Sequence, residues 1–339
     1  MTPIAFEESL SGNALFPFTL TRRAQELRLG ILTIREKWEH IRRLLPASIA
    51  LPVISPLLLP DVKLVGLVRE HHTLPDFSGL SYLQYPWQIV QQNRGQLLLD
   101  FELITFGRAS GPISPSNHVV DAGQVFLEPG AQVECCVLNA SDGPIYIGRG
   151  AHIMEGCLIR GPVAVGAGSV LKMGSKIYGA TTIGPGCVMG GEIKNSVIFG
   201  NSNKAHDGYL GDAVIGEWCN LGAGTSNSNI KNNASVVKVW DESVRQFRPA
   251  AQKCGLLMGD FCRSAINTSF NTGTLTGVCC NIFGNGMPPK YMPSFSWGFA
   301  KERYDFTKAM EDIRNWKKLK NQPLREDEIQ TLKHIFDQT

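Results

Sequence analysis

The 339-residue sequence has no C-x-x-C spacing, no run of basic residues and no apolar stretch of membrane-spanning length. The first absence argues against a structural zinc site, which usually draws on closely spaced cysteine pairs. The net charge of +3 is dispersed over both signs, unlike the basic surface of a nucleic-acid-binding protein. We therefore expect neither nucleic acid nor a membrane as a partner.

The cysteines and the amino terminus indicate the compartment. Nine cysteines are present, an odd number, with adjacent pairs at Cys135–Cys136 and Cys279–Cys280. This pattern fits no disulfide framework and predicts small buried residues in a reducing environment. Residues 1–10 lack the basic start and apolar core of a secretory signal. We expect a cytoplasmic protein.

The centre of the sequence carries a six-residue repeat. Gly148, Gly166 and Gly184 lie eighteen residues apart, three times six. A triangular coil would place one aliphatic side chain per face inside a prism and return these glycines to one corner, where glycine tolerates positive φ. The pattern predicts a left-handed parallel β-helix from about Val119 to Gly284. Seven aliphatic residues fall six apart without a miss: Ile147, Ile153, Ile159, Val165, Leu171, Ile177 and Ile183.

The repeat returns after an interruption. Tyr209, Ile215 and Leu221 are again six apart, but Ile183 and Tyr209 are separated by 26 residues, two more than four hexads. We expect a bulge or small loop between residues 189 and 203 to absorb the two residues. In this phase Tyr209 would be an inward-facing aromatic.

A second interruption follows Asn229. The polar segment Ile230–Lys253 predicts a loop extruded from the coil, and long loops in regular folds are often functional. The coil is expected to resume at Leu256–Asp260 and to run through Asn281. Four residues would supply polar corners there: Thr268, Asn271, Thr272 and Thr274.

The region before the coil mixes helical and strand-like patterns, as an α/β unit would. Leu27–Leu45 has helical spacing, whereas Val62–Val68 and Leu97–Phe106 resemble strands. Gly107–Ser116 is rich in Gly, Ser and Pro and predicts a boundary loop.

The region after the coil predicts two amphipathic helices, Phe299–Leu319 and Leu324–Phe336. We expect them to cover the open end of the coil, because a solenoid end is an exposed edge. The predicted organisation is a small α/β region (1–115), a left-handed β-helix domain (116–286) and a helical cap (287–339).

Two motifs in the coil are distinctive, H-D-G-Y-L-G-D (His206–Asp212) and I-G-E-W-C-N-L-G-A-G-T (Ile215–Thr225). They resemble the hexapeptide-repeat acetyltransferase half of the bifunctional enzyme that makes UDP-N-acetylglucosamine from glucosamine 1-phosphate. The whole chain is similar to bacterial sugar nucleotidyltransferase homologues that have a hexapeptide carboxy-terminal domain.

The resemblance implies a set of site residues. His206 matches the general base that takes a proton from the sugar amine, and Glu192 matches its supporting carboxylate. Lys194 matches the phosphate-binding lysine, and Lys176 falls where the family has a second phosphate-binding residue, an arginine. The other matching positions are Tyr209, Asn220 and Asn229 for the sugar and Ala223 beside acetyl-CoA.

Each position also has a purely structural interpretation. A histidine outside such a motif is more often an ordinary surface or core residue, and a lysine such as Lys194 is more often solvated. Asn227, Asn229, Asn232 and Asn233 could form a polar ladder that satisfies turn backbone. The combination of H-x-x-Y-x-G-D with N-x-G-A-G-T favours a site for His206.

The amino-terminal region carries a second resemblance. L-F-P-F-T-L-T-R (Leu15–Arg22) resembles the start of sugar-nucleotide pyrophosphorylases, just past their phosphate-cradling loop. Residues 7–13 contain only one glycine, Gly12, and Arg23-Ala24 stands where the family has Pro-Lys. We expect a shortened, inactive remnant, with Mg²⁺ required only if it were active.

N-acyl transfer from a thioester needs a base for the amine proton and donors for the oxyanion. The sequence therefore predicts a trimeric N-acyltransferase that uses acetyl-CoA or a related CoA ester on an amino-sugar phosphate or sugar nucleotide. The trimer is implied by the family, whose members bind CoA between neighbouring prisms. The alternatives are a sugar-1-phosphate nucleotidyltransferase and a non-catalytic sugar-nucleotide-binding homologue.

Overall fold

The computed structural model describes residues 4–7, 15–49, 51–299 and 302–339. The predicted features at residues 1–3 and 8–14, including Gly12, lie outside these residues. Within them, all nine cysteines are free, and all except Cys135 are buried, as expected for small core residues. None of the described helices is long and apolar enough to cross a bilayer.

The central part of the chain is a parallel β-helix with three faces, consistent with the predicted left-handed coil. Successive turns pair in parallel, as Val165 with Ile183 on one face and Leu171 with Met189 on the next. Face one contains Val125–Leu127, Ile145–Ile147, Val163–Val165, Thr181–Ile183, Val197–Ile198, Val214–Ile215, Leu257–Met258, Leu275–Thr276 and Tyr291–Met292.

The other two faces follow the same parallel order. Face two contains Gln132–Val133, His152–Ile153, Val170–Leu171, Val188–Met189, Asn203–Lys204, Asn220–Leu221, Arg263–Ser264, Asn281–Ile282 and Ser296–Trp297, with Glu302–Arg303 added antiparallel. Face three contains His118–Val120, Val137–Asn139, Leu158–Arg160, Lys176–Tyr178, Glu192–Lys194 and Tyr209–Gly211, followed by the pair Ser226–Asn227 and Ser269–Phe270.

The hexad residues fill the prism, as the spacing predicts. All seven from Ile147 to Ile183 are at most 1% exposed and belong to one core. Gly148, Gly166 and Gly184 stack at one corner, but the expected reason, positive φ, is wrong. A Cβ on Gly166 would lie 2.5 Å from the Pro185 nitrogen and 2.6 Å from the Gly184 carbonyl carbon. Glycine is required there because successive turns approach closely.

Gly166→Ala is expected to destabilise the protein by about 2 kcal/mol, because the added methyl must push backbone aside. The matched control is Gly95→Ala, at an exposed helical position where a Cβ meets nothing within 4 Å. The control should stabilise by about 0.5–1 kcal/mol through helix propensity. Urea denaturation measures both free energies, and equal effects would contradict the close-approach explanation.

The first interruption shortens the coil, so the predicted insertion of two residues is wrong. Regular turns take eighteen residues, whereas Ile177 pairs with Ile193 after sixteen and Ile183 pairs with Ile198 after fifteen. The corner after Met189 is cut short, since Gly191 adopts φ +74° and allows a tight bend.

The shortened turns change which side chains face inward. Leu210 pairs with Ile193 and is 1% exposed, so Tyr209 faces outward and its predicted inward position is wrong. On face two, Lys204 pairs with Met189 inside the coil and is 2% exposed. A count of hexads could not reveal either shift, because it assumes corners of constant length.

The second interruption is an antiparallel hairpin, Val237–Asp241 with Gln246–Ala251, and the coil resumes at Leu257 as predicted. Val237 and Val239 are fully buried against the amino-terminal region. The hairpin therefore helps to cover face one.

The amino-terminal region contains three α-helices: α1 (Ile34–Leu44), α2 (Val62–His71) and α3 (Gln88–Thr105). The first confirms the predicted helix, although it begins later, at a capping box formed by Thr33 and Glu36. The shorter elements of this region are the 3₁₀ turn Ala24–Glu26 and the strands Leu58–Leu59 and Ser81–Tyr82; a second 3₁₀ turn, Ala122–Gln124, lies in the first turn of the coil.

The predicted strands at Val62–Val68 and Leu97–Phe106 are both wrong. Asp61 caps α2 by accepting a hydrogen bond from the Leu64 N–H at 2.7 Å, which fixes the helix start. In α3 the buried stripe includes polar Asn93, Gln96 and Asp100. Because polar residues occupy that stripe, the helical period is hidden from a hydrophobicity pattern.

The amino-terminal region packs on the outer surface of face one. Val197, Val214 and Leu257 project from the coil into the core formed by the three helices. Asn93 joins the two parts, since its Oδ1 accepts from the Gly30 N–H at 2.6 Å and its Nδ2 donates to the Ala180 carbonyl. Face one is thus covered by the chain itself.

The carboxy-terminal helices α4 (Phe306–Leu319) and α5 (Glu326–Gln338) lie along the side of the coil, so the predicted cap on its open end is wrong. Aromatic side chains at the corner between faces one and two, Trp218, Phe261 and Phe295, form an apolar strip for them. The helix predicted from Phe299 begins only at Phe306, because Asp305 caps it; residues 300 and 301 lie outside the described part.

Candidate active site

Strand register on face three brings several predicted residues side by side. Lys176, Glu192 and Tyr209 are adjacent on successive turns and face outward. The next outward row on the same strands is Tyr178, Lys194 and Gly211. Because alternate residues of a strand share one side, these two rows form a continuous polar surface.

Tyr178 also belongs to this surface, although it is not among the predicted site residues. Its hydroxyl donates to Glu192 Oε1 at 2.6 Å, and this hydrogen bond, with burial, raises the pKa of Tyr178 to about 12. The Lys194 ammonium lies 5.6 Å from the centre of the Tyr178 ring. Tyr178 therefore orients the Glu192 carboxylate through its hydroxyl, and its ring attracts the Lys194 ammonium.

A second network holds Tyr209. Asn229 Nδ2 donates to the Tyr209 hydroxyl at 3.1 Å and also to Asp212 Oδ2. Asn195 Nδ2 donates to the other oxygen of Asp212 at 2.6 Å. The buried carboxylate of Asp212 thus ties together residues from three turns.

The network fixes the hydrogen-bonding roles of its outward groups. Asn229 uses both amide N–H bonds, which leaves its Oδ1 as an acceptor for a ligand. The Tyr209 hydroxyl accepts from Asn229, and no described residue accepts its proton, which can therefore be donated to a ligand. Burial and the nearby charges of Asp212 and Glu192 raise the pKa of Tyr209, which keeps that proton in place at neutral pH.

His206 lies at the corner between faces two and three. We call this the His206 corner, formed by Gly190, Gly191, His206, Asp207 and Ala223. The His206 side chain is exposed, and its ring makes no hydrogen bond or ion pair with the described residues. The Glu192 N–H donates to the Gly208 carbonyl at 3.2 Å, so Glu192 lies beside this corner. Within the described part of one chain, however, no ion pair within 4.0 Å joins His206 to Glu192.

Ala223 lies one turn further along the same corner, where the Gly224 N–H donates to the Asp207 carbonyl at 3.0 Å. Its side chain is partly exposed at this corner. Asn220 is placed differently, on face two, where it pairs with Asn203 and Arg263. A single chain therefore brings Asn220 onto another face than Glu192, Lys194 and Tyr209.

Asn227 has the structural role that the polar-ladder interpretation assigns to it. It is 4% exposed, and its amide both accepts from the Gly211 N–H and donates to the Gly211 carbonyl, each at 2.9 Å. Asn233 accepts from the Ser235 N–H at 3.1 Å in the exposed segment that leads to the hairpin. These two asparagines satisfy backbone.

Comparison with known proteins finds one matching family model and several related proteins. A family model described as sugar nucleotidyl transferase matches residues 4–51. The "Bifunctional protein GlmU" of Methanocaldococcus jannaschii is 32% identical over 117 residues, 34% of this chain and 28% of that protein. The "Bifunctional sugar-1-phosphate nucleotidylyltransferase/acetyltransferase" of Sulfurisphaera tokodaii is 34% identical over 92 residues, 27% of this chain and 23% of that protein.

These matches confirm the resemblance to the bifunctional enzymes, and they span less than a third of the length of either relative. Among solved structures, the match to the polySia specific acetyltransferase NeuO covers 54% of this chain and 82% of that protein, with 12% identity and a TM-score of 0.29. The match to a perosamine N-acetyltransferase mutant from Caulobacter crescentus covers 77% of this chain and 85% of that protein, with 14% identity and a TM-score of 0.18.

Proposed function

We propose that this protein is an N-acyltransferase that transfers an acetyl group from acetyl-CoA to the amine of an amino-sugar phosphate or sugar nucleotide. The observation that carries the proposal is the polar surface of face three beside the His206 corner. Cationic, acidic and hydrogen-bonding groups converge there from consecutive turns, next to an exposed histidine. The name of the Sulfurisphaera tokodaii relative, which includes acetyltransferase activity, supports the same class.

Each group has a defined task in the proposed reaction. Lys194, assisted by Lys176, holds the phosphate, and Tyr209 and Asn229 present a donor and an acceptor to sugar hydroxyls. The amine nitrogen attacks the acetyl carbonyl carbon while a ring nitrogen of His206 takes its proton. The C–S bond then breaks, and the departing thiolate takes the proton from His206 to give CoA and the N-acetyl sugar.

A homotrimer is part of the proposal. Met173 and Ile266 lie on the corner between faces two and three and are 67% and 69% exposed, and such apolar groups favour contact with another copy. If face two of one copy meets face three of the next, Asn220 completes a site that a single chain leaves incomplete. Light scattering should then give three times the mass of one chain, and a monomer would contradict this assembly.

The activity is tested by following CoA thiol release from acetyl-CoA with the wild-type protein. Glucosamine 1-phosphate and a UDP-amino sugar are the trial acceptors, and N-acetylglucosamine 1-phosphate, whose amine is blocked, is the matched control. We expect thiol release only with a free amine, together with a product heavier by one acetyl group. Binding of sugar nucleotides without thiol release would instead identify a non-catalytic binder.

Nucleotidyl transfer by the amino-terminal region is the second candidate, because residues 4–51 match a nucleotidyltransferase model. Arg22 of the matched segment is engaged by Asp260 and lies 3.3 Å from Glu217, both on the coil. A phosphate would have to displace this ion pair. We therefore expect no pyrophosphate release from NTPs, Mg²⁺ and sugar 1-phosphates, and measurable release would revive this candidate.

A further inference from the structure

Lys204 is a charged residue inside the coil. It occupies an inward position on face two that Met189 holds in the preceding turn and Leu221 in the following turn. Its side chain is 2% exposed. Burial of an ammonium group is costly unless hydrogen bonds compensate it, so its partners indicate its purpose.

Those partners are two backbone carbonyls of the His206 corner. The Lys204 ammonium donates to the His206 carbonyl at 2.8 Å and to the Gly190 carbonyl at 3.2 Å. The chain crosses this corner in four residues, from Met189 to Ile193. The same corner one turn earlier takes six residues, from Leu171 to Ile177. Gly190 belongs to this short corner, and no backbone N–H of the described residues donates to its carbonyl or to that of His206, so both would lack a partner without Lys204.

We infer that Lys204 is a positioning residue, which holds the His206 corner in the geometry that directs the imidazole toward the acceptor amine. This inference rests on the proposed function for its catalytic consequence, but the anchoring itself does not. Lys204 joins Gly190 and His206, which belong to adjacent turns. A loosened corner would move the base relative to the sugar bound on face three.

The anchoring does not depend on the charge of the amine. Burial lowers the pKa of Lys204 to about 8, while nearby Asp207 opposes the shift. A neutral amine retains two N–H donors, one for each carbonyl. The contacts therefore persist on both sides of this pKa, and Lys204 acts as a fixed support.

The test is Lys204→Met, which places in this turn the residue found at the same inward position one turn earlier. We expect a folded protein whose kcat for acetyl transfer falls about a hundredfold while KM for both substrates is unchanged, since misplacing a catalytic group by about 1 Å costs that much. Amide hydrogen exchange in residues 203–210 should accelerate about tenfold. Lys204→Gln, which keeps one N–H₂ group, should recover part of kcat.

Met189→Leu is the matched control, because it alters the same interior column without touching the corner carbonyls. It should leave kcat and the exchange of residues 203–210 unchanged. Wild-type kcat and wild-type exchange in Lys204→Met would overturn the inference. If the wild-type protein shows no acetyl transfer, the proposed function fails, while the exchange rates still decide whether Lys204 anchors the corner. If Lys204→Met does not fold, Lys204→Gln and its exchange rates decide.

Discussion

His206→Asn is expected to lower kcat for acetyl transfer by about 10³-fold, because general-base catalysis contributes about 10²–10⁴-fold. Asparagine retains a polar side chain of similar reach but cannot take the amine proton. His206 is exposed, and its ring makes no hydrogen bond with the described residues, so the free energy of unfolding should change by less than about 0.5 kcal/mol. Initial rates at saturating acetyl-CoA measure the effect.

His118→Asn is the matched control, since His118 is also exposed but lies on face three near the start of the coil, several turns away. It should retain the wild-type rate. A His206→Asn variant that turns over as fast as the control would remove His206 from the mechanism. A variant that loses both activity and stability would assign His206 a structural role instead.

Asp100→Ala is expected to destabilise the protein by about 3–5 kcal/mol, the cost of leaving one partner of a buried ion pair uncompensated. Asp100 and Lys37 form an ion pair between α3 and α1, and both side chains are fully buried. Asp100 Oδ2 also accepts from the Ile31 and Leu32 N–H groups, at 2.7 and 2.9 Å. Denaturant titration measures the loss, and proteolysis should then begin in residues 15–105.

The double variant Lys37→Met with Asp100→Asn separates charge from packing. It removes both charges and keeps an amide oxygen that can accept from Ile31 and Leu32. Replacing a buried pair by neutral groups is often close to neutral, so this variant should lose only about 1 kcal/mol. If the single and double variants are equally unstable, the cost does not come from an unpaired charge.

The coil could be predicted because its core repeats a local rule. Each face places one aliphatic side chain inward per turn, so the register from Ile147 to Ile183 follows from spacing alone. The rule fails where corners change length. Gly190 and Gly191 permit a short corner. After it, Lys204 and Leu210 point inward, whereas the six-residue spacing predicts Tyr209 as an inward residue.

The flanking regions were harder to predict, since their stability depends on contacts far apart in the sequence. The helix α3 buries Asn93 and Asp100 because partners elsewhere in the chain satisfy them, and this hides its apolar period. Likewise, α4 and α5 pack on Trp218 and Phe261, whose alignment at one corner appears only once the coil is folded.

The candidate site was predictable to the extent that it lies in one motif. Tyr209 and Asp212 both belong to H-D-G-Y-L-G-D, and the structure links them through Asn229. Tyr178 was missed because it lies a full turn away, sixteen residues before Lys194. Tyr178 lies two residues after Lys176, so the two side chains share the outer side of one strand. That spacing is the sequence feature from which Tyr178 could have been predicted.

A crystal structure of the protein with CoA and an amino-sugar phosphate bound is the most direct test of the proposed site. We expect the amine nitrogen within about 3 Å of a ring nitrogen of His206, the reach of a general base. The phosphate should contact Lys194, and the sugar should contact Tyr209 and Asn229. A sugar phosphate bound on another surface, in contact with neither His206 nor Lys194, would contradict the assignment.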